Sequence, residues 1–368
     1  NPSTPIVTFK ASWPGAGFAN PGDTDYGNFS PDATPGPLAH LLNMIDQWPT
    51  FLTALGVAGY SVGSKRCVCI GAETDANIQA DSLDTQDNIE AAFAALRTAT
   101  VLDASTPIAM PRVRNSVWPY GATTRAQQWL VAEADAYVQI INTDGLTLHD
   151  GIHFAEASVT TLASRCYEAL DGAGYTFDPA YMTWGSVNAS LTKSNGDKTI
   201  TRNADTTGSK FARGSQAFPA GVTTYWEADR TVASVSHPGS DDGTTFGICT
   251  EDFDTTNAVN NYEEQSAYSC GTGYYYGADG SPANTALGTI EVGERIGQKI
   301  NPTTNIHSMN KDGGSFTNYD LANWDDNAGD NYYFGANVYY ASSDNVRLYV
   351  TIAEMDDLPA GCVPAFSY

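Results

Sequence analysis

Apolar residues in the first half of the chain follow two different spacings. Short continuous runs are typical of buried strands, and apolar positions three or four residues apart predict helices. The predicted strands cover residues 5–9, 66–70, 107–110 and 138–141, and the predicted helices cover 38–55, 85–98, 123–137 and 154–170. Pro49 lies inside the first helix and is expected to kink or split it. This alternation predicts a parallel sheet with helices on both faces, whose ligands bind at the carboxyl ends of the strands.

The pattern changes near Gly172, after which Thr, Tyr, Gly, Asn and Asp dominate and no long helical period appears. Asn195-Gly196 is a strong signal for a hairpin turn. Many short strands separated by turns predict an all-β sandwich. The candidate strands are residues 198–202, 223–232, 244–249, 288–292, 295–300, 332–340 and 346–352. We therefore expect an α/β domain over residues 1–177 and a β-sandwich domain over residues 178–368.

The composition of the chain disfavours some classes of binding partner. The 368 residues carry a formal net charge of −24, so the basic footprint of a nucleic-acid-binding protein is absent. No run of 18 apolar residues occurs, and no membrane span is expected. Such acidity is typical of solubility in a salty or extracellular setting. The chain opens at Asn1 without a methionine, from which we expect that an upstream segment has been removed.

The six cysteines leave the redox compartment open. Cys67 and Cys69 share one face of a predicted strand with side chains roughly 7 Å apart, which makes a disulfide between them unfavourable. Cys249 and Cys270 fit either a disulfide or plain buried thiols. No His/Cys cluster has zinc spacing, and neither a metal nor an organic cofactor is expected.

Candidate chemistry lies where predicted strands end. Asp150 precedes His153 by three residues in a loop, a spacing with which a carboxylate can orient an imidazole toward a nucleophile. The alternative is a helix-capping Asp beside a surface His. Glu73 and Asp75 follow the strand at 66–70 and are either solvated loop carboxylates or part of the same cleft. Gly15, with Gly17 two residues later, follows the first strand and forms either an oxyanion hole or a simple turn.

These blocks occur in an order that resembles the SGNH-hydrolase superfamily of serine esterases, in particular its sialate O-acetylesterase-like carbohydrate esterases. The resemblance spans residues 5–170 and rests on Lys10 to Gly17, on Glu73-Thr74-Asp75-Ala76, and on Asp150-Gly151-Ile152-His153-Phe154. It implies a flavodoxin-like parallel sheet, with His153 as general base and Asp150 as its orienting partner. It also implies that amides near Gly15 and Gly17 stabilise the oxyanion, and that Glu73 or Asp75 shapes the sugar site.

The sequence departs from that family at two places. Gly71 and Ala72 replace the Gln-Gly that opens the middle block, which removes a side-chain donor. The family's first block, Gly-Gln-Ser-Asn, carries the nucleophilic serine and is absent. Three readings follow: the serine belongs to an upstream segment or separate chain, the protein is a non-catalytic relic that binds glycans, or Ser12 is the nucleophile.

The second half resembles SPRY domains, which are concanavalin-like β-sandwiches. The matching residues are Tyr225-Trp226-Glu227-Ala228, Phe246-Gly247-Ile248-Cys249, the Tyr-rich stretch at 269–280, and Val292-Gly293-Glu294-Arg295-Ile296-Gly297. The resemblance covers residues 184–355 and implies binding of proteins or glycans without catalysis.

The leading hypothesis is a carbohydrate O-acetylesterase with an attached recognition domain, whose partner is an acetylated glycan or cell-surface polysaccharide. The rival is a non-catalytic structural or adhesion protein, such as a virion or tail-fibre component, that keeps an esterase-like fold. Both hypotheses predict an extracellular or virion-associated location. Neither predicts a nucleic-acid partner.

Overall fold

The computed structural model separates the chain into two compact units, Asn1–Asp178 and Pro179–Tyr368. Each unit is described here by itself. The described residues are 18, 46–60, 63–98, 101–114, 117–172, 175–177, 179–203, 209–230, 244–251, 253, 255–256, 265–269, 274–276, 282–284, 293–321, 331–339, 345–351, 353–356 and 358–365.

The described part of the first unit contains a parallel sheet of three strands, β1 (Cys67–Val68), β2 (Ile108–Pro111) and β3 (Val138–Ile141). They lie in the order β1-β2-β3, with Cys67 opposite Ile108 and Ile108 opposite Val138. Because all three run in the same direction, their carboxyl ends meet at one edge of the sheet. The loops that follow them carry the candidate site residues.

Helices cover both faces of this sheet, as the alternation of strand and helix predicts. The helices of the first unit are α1 (Trp48–Val57), which has no buried residue, α2 (Gln79–Leu83), α3 (Thr85–Thr98), α4 (Gly121–Ala134) and α5 (Glu156–Asp171). On one face, Ile108 and Met110 belong to a buried cluster with Phe93 of α3 and Val131 of α4. On the other face, Ala109 and Ile141 share a cluster with Leu162, Cys166 and Ala169 of α5.

The structure gives the outcome of two expectations for this unit. Asp46 is helical and Gln47 is a turn residue, so the predicted helix is split just before Pro49. Pro49 then lies in the first turn of α1, where the missing N–H of a proline costs no helical hydrogen bond. The strand at 66–70 is reduced to Cys67–Val68. The predicted strand at 5–9 and the start of the helix at 38–45 lie outside the described residues.

The second unit consists of two large antiparallel sheets. The strands are β4 (Trp184–Val187), β5 (Leu191–Ser194), β6 (Thr199–Arg202), β7 (Ser209–Gly214), β8 (Thr223–Asp229), β9 (Thr245–Cys249), β10 (Gln265–Ser269), β11 (Tyr274–Tyr276), β12 (Pro282–Asn284), β13 (Ile296–Asn301), β14 (Ile306–Lys311), β15 (Thr317–Asp320), β16 (Tyr333–Tyr339), β17 (Asn345–Tyr349) and β18 (Cys362–Pro364). The first sheet has the order β12-β11-β10-β9-β16-β7-β4, and the second has the order β15-β14-β13-β8-β17-β6-β5. The remaining strand, β18, pairs in parallel with the first half of β8.

Aromatic side chains join the two sheets into a sandwich. Trp226 of β8 contacts Phe334 of β16 with ring centroids 5.2 Å apart, and Phe334 also contacts Trp184 of β4 at 6.1 Å. Phe218 stacks on Trp226 at 4.8 Å. All four side chains are buried. The predicted β-sandwich is therefore confirmed by the sheets and by the core between them.

The predicted turn at Asn195-Gly196 joins β5 to β6. Ser194 pairs with Thr199, and the backbone φ angles of Asn195, Gly196 and Asp197 are 53°, 62° and 62°. This left-handed region is the one that Asn and Gly tolerate best in hairpin turns. The hairpin prediction is confirmed.

Candidate functional site

The Asp150–His153 segment forms a tight turn that closes a short antiparallel ladder. Leu148 pairs with Phe154 in an isolated bridge, and the His149 N–H donates to the His153 carbonyl oxygen at 2.7 Å. Gly151 has a φ of +87°, a conformation that a residue with a side chain rarely adopts. The turn is thus fixed at its base and carries Asp150 and His153 on its exposed side.

Asp150 holds both the backbone and the ring of His153. Its Oδ1 accepts the N–H groups of Ile152 at 3.0 Å and of His153 at 2.8 Å, and its Oδ2 lies 2.7 Å from His153 Nδ1. The hydrogen bond from the imidazole, followed by the two backbone donors, lowers the pKa of Asp150 far below its usual range. An ionised Asp150 therefore keeps a proton on Nδ1 and leaves Nε2 as the basic nitrogen.

His153 is open to solvent. Its side chain is 77% exposed and that of Asp150 is 47% exposed. Among the described residues, no serine hydroxyl or cysteine thiol is hydrogen-bonded to the His153 ring. Ser12, Gly15 and Gly17 lie outside the described residues. The structure therefore shows an imidazole oriented by Asp150, and its role as a base, the nucleophile and the oxyanion loop stay predictions.

Asp75 and Glu73 follow β1 at the same edge of the sheet but have different surroundings. Asp75 is 1% exposed, and its Oδ2 accepts the backbone N–H of Phe18 at 2.8 Å. Glu73 is partly buried, and burial together with the nearby Asp75 charge raises its pKa. Asp75 is thus an anchor for residue 18, and its contact with a sugar stays a prediction. Glu73 remains the better placed of the two for such a contact.

Phe18 also explains the departure at Gly71. A Cβ built on Gly71 would lie 2.7 Å from Cε2 of the Phe18 ring, which is closer than real Cβ atoms come. Phe18 itself is buried in the core cluster of the first unit. A glutamine at position 71 would therefore displace this ring.

Two arginines that the sequence did not single out lie at this edge of the sheet. Arg112 follows β2, Arg125 lies on α4, and both bind the carboxylate of Asp144, which follows β3, at 2.7 and 2.8 Å. Arg112 and Asp144 follow two predicted strands, so the rule that ligand sites lie at strand carboxyl ends would have selected them. Their pairing needs the strand order, which the sequence does not supply.

In the second unit, Glu227 of the Tyr-Trp-Glu motif is an internal ion-pair partner. Its side chain is 4% exposed and its Oε2 lies 2.9 Å from Arg295 Nη1. Tyr225 donates its hydroxyl to Glu227 Oε1 at 3.0 Å, and Asp356 donates its backbone N–H to the same oxygen at 3.0 Å. The motif therefore ties β8 to the start of β13 and to the 354–356 segment.

His307 is buried in the sandwich core. Its Nδ1 lies 2.8 Å from Ser266 Oγ and its Nε2 lies 3.1 Å from Gln298 Oε1, while its ring stacks on Trp226. The Gln298 oxygen accepts a hydrogen bond from Nε2–H, so Nδ1 accepts a hydrogen bond from the hydroxyl of Ser266. Burial lowers the pKa of His307 to about 3. This serine–histidine pair is fully buried and serves the core rather than a reaction.

We expect the second unit to lose stability in mild acid because of His307. Its pKa is about 3 when folded and about 6.5 in a free chain, so the unfolded state binds the extra proton between these values. The contribution of neutral His307 to stability is therefore complete above about pH 6.5. The free energy of unfolding falls by about 2 kcal/mol between pH 7 and pH 5. Hydrogen exchange of peptides covering β8 and β14 at both pH values measures this loss.

The matched variants are His307→Gln, which cannot titrate, and His149→Gln, which removes an exposed histidine of the first unit. We expect the pH dependence of β8 and β14 to decrease in the first variant and to persist in the second. An unchanged pH dependence in His307→Gln would assign the acid sensitivity to other groups.

The cysteines among the described residues are buried or partly buried. Cys67 and Cys69 are not joined to each other, as the strand geometry predicts, and burial raises the pKa of Cys67 to about 11. Cys249 donates its thiol to the Phe334 carbonyl oxygen at 3.3 Å, which fits the buried-thiol alternative. Cys270 lies outside the described residues. Raised thiol pKa values disfavour the thiolate that a cysteine nucleophile needs.

In the described part of the chain, no group of three or more His, Cys, Asp or Glu residues is arranged to hold a metal ion. None of the helices described is both long and apolar enough to cross a membrane.

Comparison with known proteins finds similarity at the level of structure. No protein-family model matches the sequence, and no curated protein matches it significantly. The SPRY domain of human HERC1 has a TM-score of 0.36 and 14% identity, covering 50% of this chain and 100% of that domain. A second human SPRY domain has a TM-score of 0.34 and 13% identity, covering 45% of this chain and 97% of its own. The TRIM65 PSpry domain has a TM-score of 0.33 and 12% identity, covering 46% and 88%. These scores do not assign a family, and the β-sandwich rests on the two sheets themselves.

Proposed function

We propose that the first unit supplies the acid–base pair of a serine-esterase site that removes acetyl groups from carbohydrate. The observation that carries this proposal is the Asp150–His153 pair, in which Asp150 holds Nδ1 at 2.7 Å and the imidazole is exposed. A purely helix-capping Asp would have no need to contact the ring of the following His. An SGNH-type site and a flavodoxin-like sheet are part of this proposal.

In the proposed reaction, Nε2 of His153 takes the proton of a serine hydroxyl as the oxygen attacks the acetyl carbonyl. The sugar hydroxyl leaves with that proton, and an acetyl-serine ester forms. Water then attacks the ester, giving its proton to Nε2, and acetate leaves as the serine regains its proton. Asp150 stays ionised throughout and stabilises the imidazolium that forms in each half-reaction.

The serine is assigned to one of two places, Ser12 or a serine on chain that precedes residue 1. Backbone amides near Gly15 and Gly17 are proposed to bind the oxyanion, and the Asp75–Phe18 hydrogen bond supports this placement because it holds residue 18 at the sheet edge. Glu73 is proposed to contact the sugar. The SPRY-like sandwich is proposed to bind the glycan or a protein, in an extracellular or virion setting.

The direct test is hydrolysis of p-nitrophenyl acetate by this chain, by its Ser12→Ala variant, and by a version extended with its natural upstream sequence. Activity that Ser12→Ala removes would identify Ser12, and activity confined to the extended chain would place the serine upstream. In either case His153→Ala must abolish it. If both chains are as inactive as His153→Ala, the esterase proposal is wrong.

A second function is favoured by one observation, that Asp75, a predicted site residue, is 1% exposed and holds the backbone N–H of Phe18. In this alternative the protein is a structural or adhesion component that binds glycan or protein without turnover. A glycan array probed with the intact chain separates the two functions. Binding of acetylated glycans that are recovered intact supports the alternative, whereas recovery of deacetylated glycans supports the esterase.

A further inference from the structure

Two buried arginines and a partly buried aspartate meet at the carboxyl edge of the parallel sheet. Asp144 Oδ2 accepts from Arg112 Nη2 at 2.7 Å, and Asp144 Oδ1 accepts from Arg125 Nη2 at 2.8 Å. The side chains of Arg112, Arg125 and Asp144 are 1%, 4% and 27% exposed. We call these three residues the Asp144 cluster. One carboxylate that binds two guanidinium groups is fixed in both position and orientation.

The Asp144 cluster ties the ends of two strands together. Arg125 Nε donates to the Val113 carbonyl oxygen, just after β2, at 2.6 Å. Arg112 Nη2 donates to Asn142 Oδ1, just after β3, at 3.0 Å. Because guanidinium donors form a rigid planar fork, each arginine holds two acceptors at a set distance from each other. The chain segment that follows β3, residues 142–144, is therefore held in one position.

Hydrogen bonds continue from this cluster to the Asp150–His153 turn. Arg114 Nη1 donates to the Leu146 carbonyl oxygen, two residues after Asp144. Thr147 donates its N–H to Ser158 Oγ at 2.8 Å, and its carbonyl oxygen accepts the Ala155 N–H at 3.0 Å. The next pairs along are Leu148 with Phe154 and His149 with His153. The segment between Asp144 and the turn is therefore held by hydrogen bonds at Leu146, Thr147 and His149.

We propose that Asp144 is a positioning residue for His153, acting through Arg112 and Arg125. The inference rests on the proposed esterase function, because His153 needs a defined position only if it serves a reaction. Asp144 has no role in proton transfer in this proposal. It sets where the turn lies, while Asp150 sets which nitrogen of the ring is basic.

The test replaces Asp144 by asparagine, which keeps the shape but loses the charge that binds both arginines. The matched control is Asp135→Asn, which breaks the partly buried Arg97–Asp135 pair of 2.5 Å at the opposite end of β3. Arg125→Lys is a second variant that keeps the positive charge and loses the fork. Misplacement by about 1 Å costs up to about 100-fold in rate, so we expect kcat to fall 10- to 100-fold.

Two measurements separate positioning from mere stability. In whichever chain is active, Asp144→Asn and Arg125→Lys should lower kcat and leave KM within about twofold, whereas Asp135→Asn should leave kcat unchanged at a similar loss of urea midpoint. In any chain, the backbone amide NMR signals of residues 147–154 report whether the base of the turn keeps its place. We expect these signals to shift in Asp144→Asn and to stay unchanged in Asp135→Asn.

The NMR measurement keeps this proposal independent of the esterase assay. If the extended chain has no activity, the esterase proposal fails while the amide signals of the turn still test Asp144. Unchanged amide signals of residues 147–154 in both Asp144→Asn and Arg125→Lys would overturn the positioning role. Equal changes in Asp135→Asn would also overturn it, because the effect would then follow stability alone.

Discussion

Replacing His153 by alanine in an active chain should lower kcat/KM for p-nitrophenyl acetate by about 10²- to 10⁴-fold, the usual contribution of a general base. Asp150→Asn should produce a loss of comparable order, because an amide no longer holds Nδ1–H and the ring can turn its basic nitrogen away. The remaining rate in His153→Ala should lack the decline toward acid pH that protonation of an imidazole base causes. Initial rates measured across the pH range give both results.

The matched control is His149→Ala, which removes another exposed histidine four residues away whose backbone N–H, rather than its ring, supports the turn. We expect its kcat/KM to stay within about twofold of the parent, since no step of the proposed reaction uses its ring. A loss of the same size in His149→Ala and His153→Ala would indicate that both substitutions disorder the turn. It would contradict a specific role for His153.

The fold of the first unit was predictable where strands are short apolar runs between amphipathic helices. The bounds 85–98 and 138–141 agree with α3 and β3, because Ile89, Phe93 and Leu96 share a helical face and β3 lies between two helical layers. The sandwich strands were harder to locate. β14 reads Ile-His-Ser-Met-Asn-Lys, and its buried His307, Ser308 and Asn310 are polar, so hydropathy does not mark them as core.

The candidate site shows the same division between local and long-range information. Asp150 and His153 are three residues apart, and a turn alone brings them together, so spacing was enough to predict their contact. Arg112 and Asp144 are 32 residues apart and meet only because β2 and β3 are neighbours in the sheet. Gly71 likewise has its reason in Phe18, a residue more than 50 positions away. Contacts that depend on topology need the structure.

Arg295 provides the largest expected effect on stability. Its Nη1 contacts Glu227 Oε2 at 2.9 Å and Asp356 Oδ1 at 2.9 Å, and its guanidinium lies 3.9 Å from the centre of the Tyr349 ring. Arg295→Met should destabilise the second unit by about 3–5 kcal/mol, because it leaves the carboxylate of Glu227 buried without its counter-charge. Chemical denaturation, with hydrogen exchange of peptides covering β8 and β13, measures the loss.

Arg347→Met is the matched control, because Arg347 lies over the same Tyr349 ring at 4.5 Å but makes only a long 3.9 Å ion pair with Glu354. It is about one-third exposed, so its removal should cost about 1 kcal/mol or less. Adding Glu227→Gln to Arg295→Met should restore part of the stability, since the uncompensated charge is then gone. If Arg295→Met costs no more than Arg347→Met, the stacking on Tyr349 rather than the buried ion pair accounts for the role of Arg295.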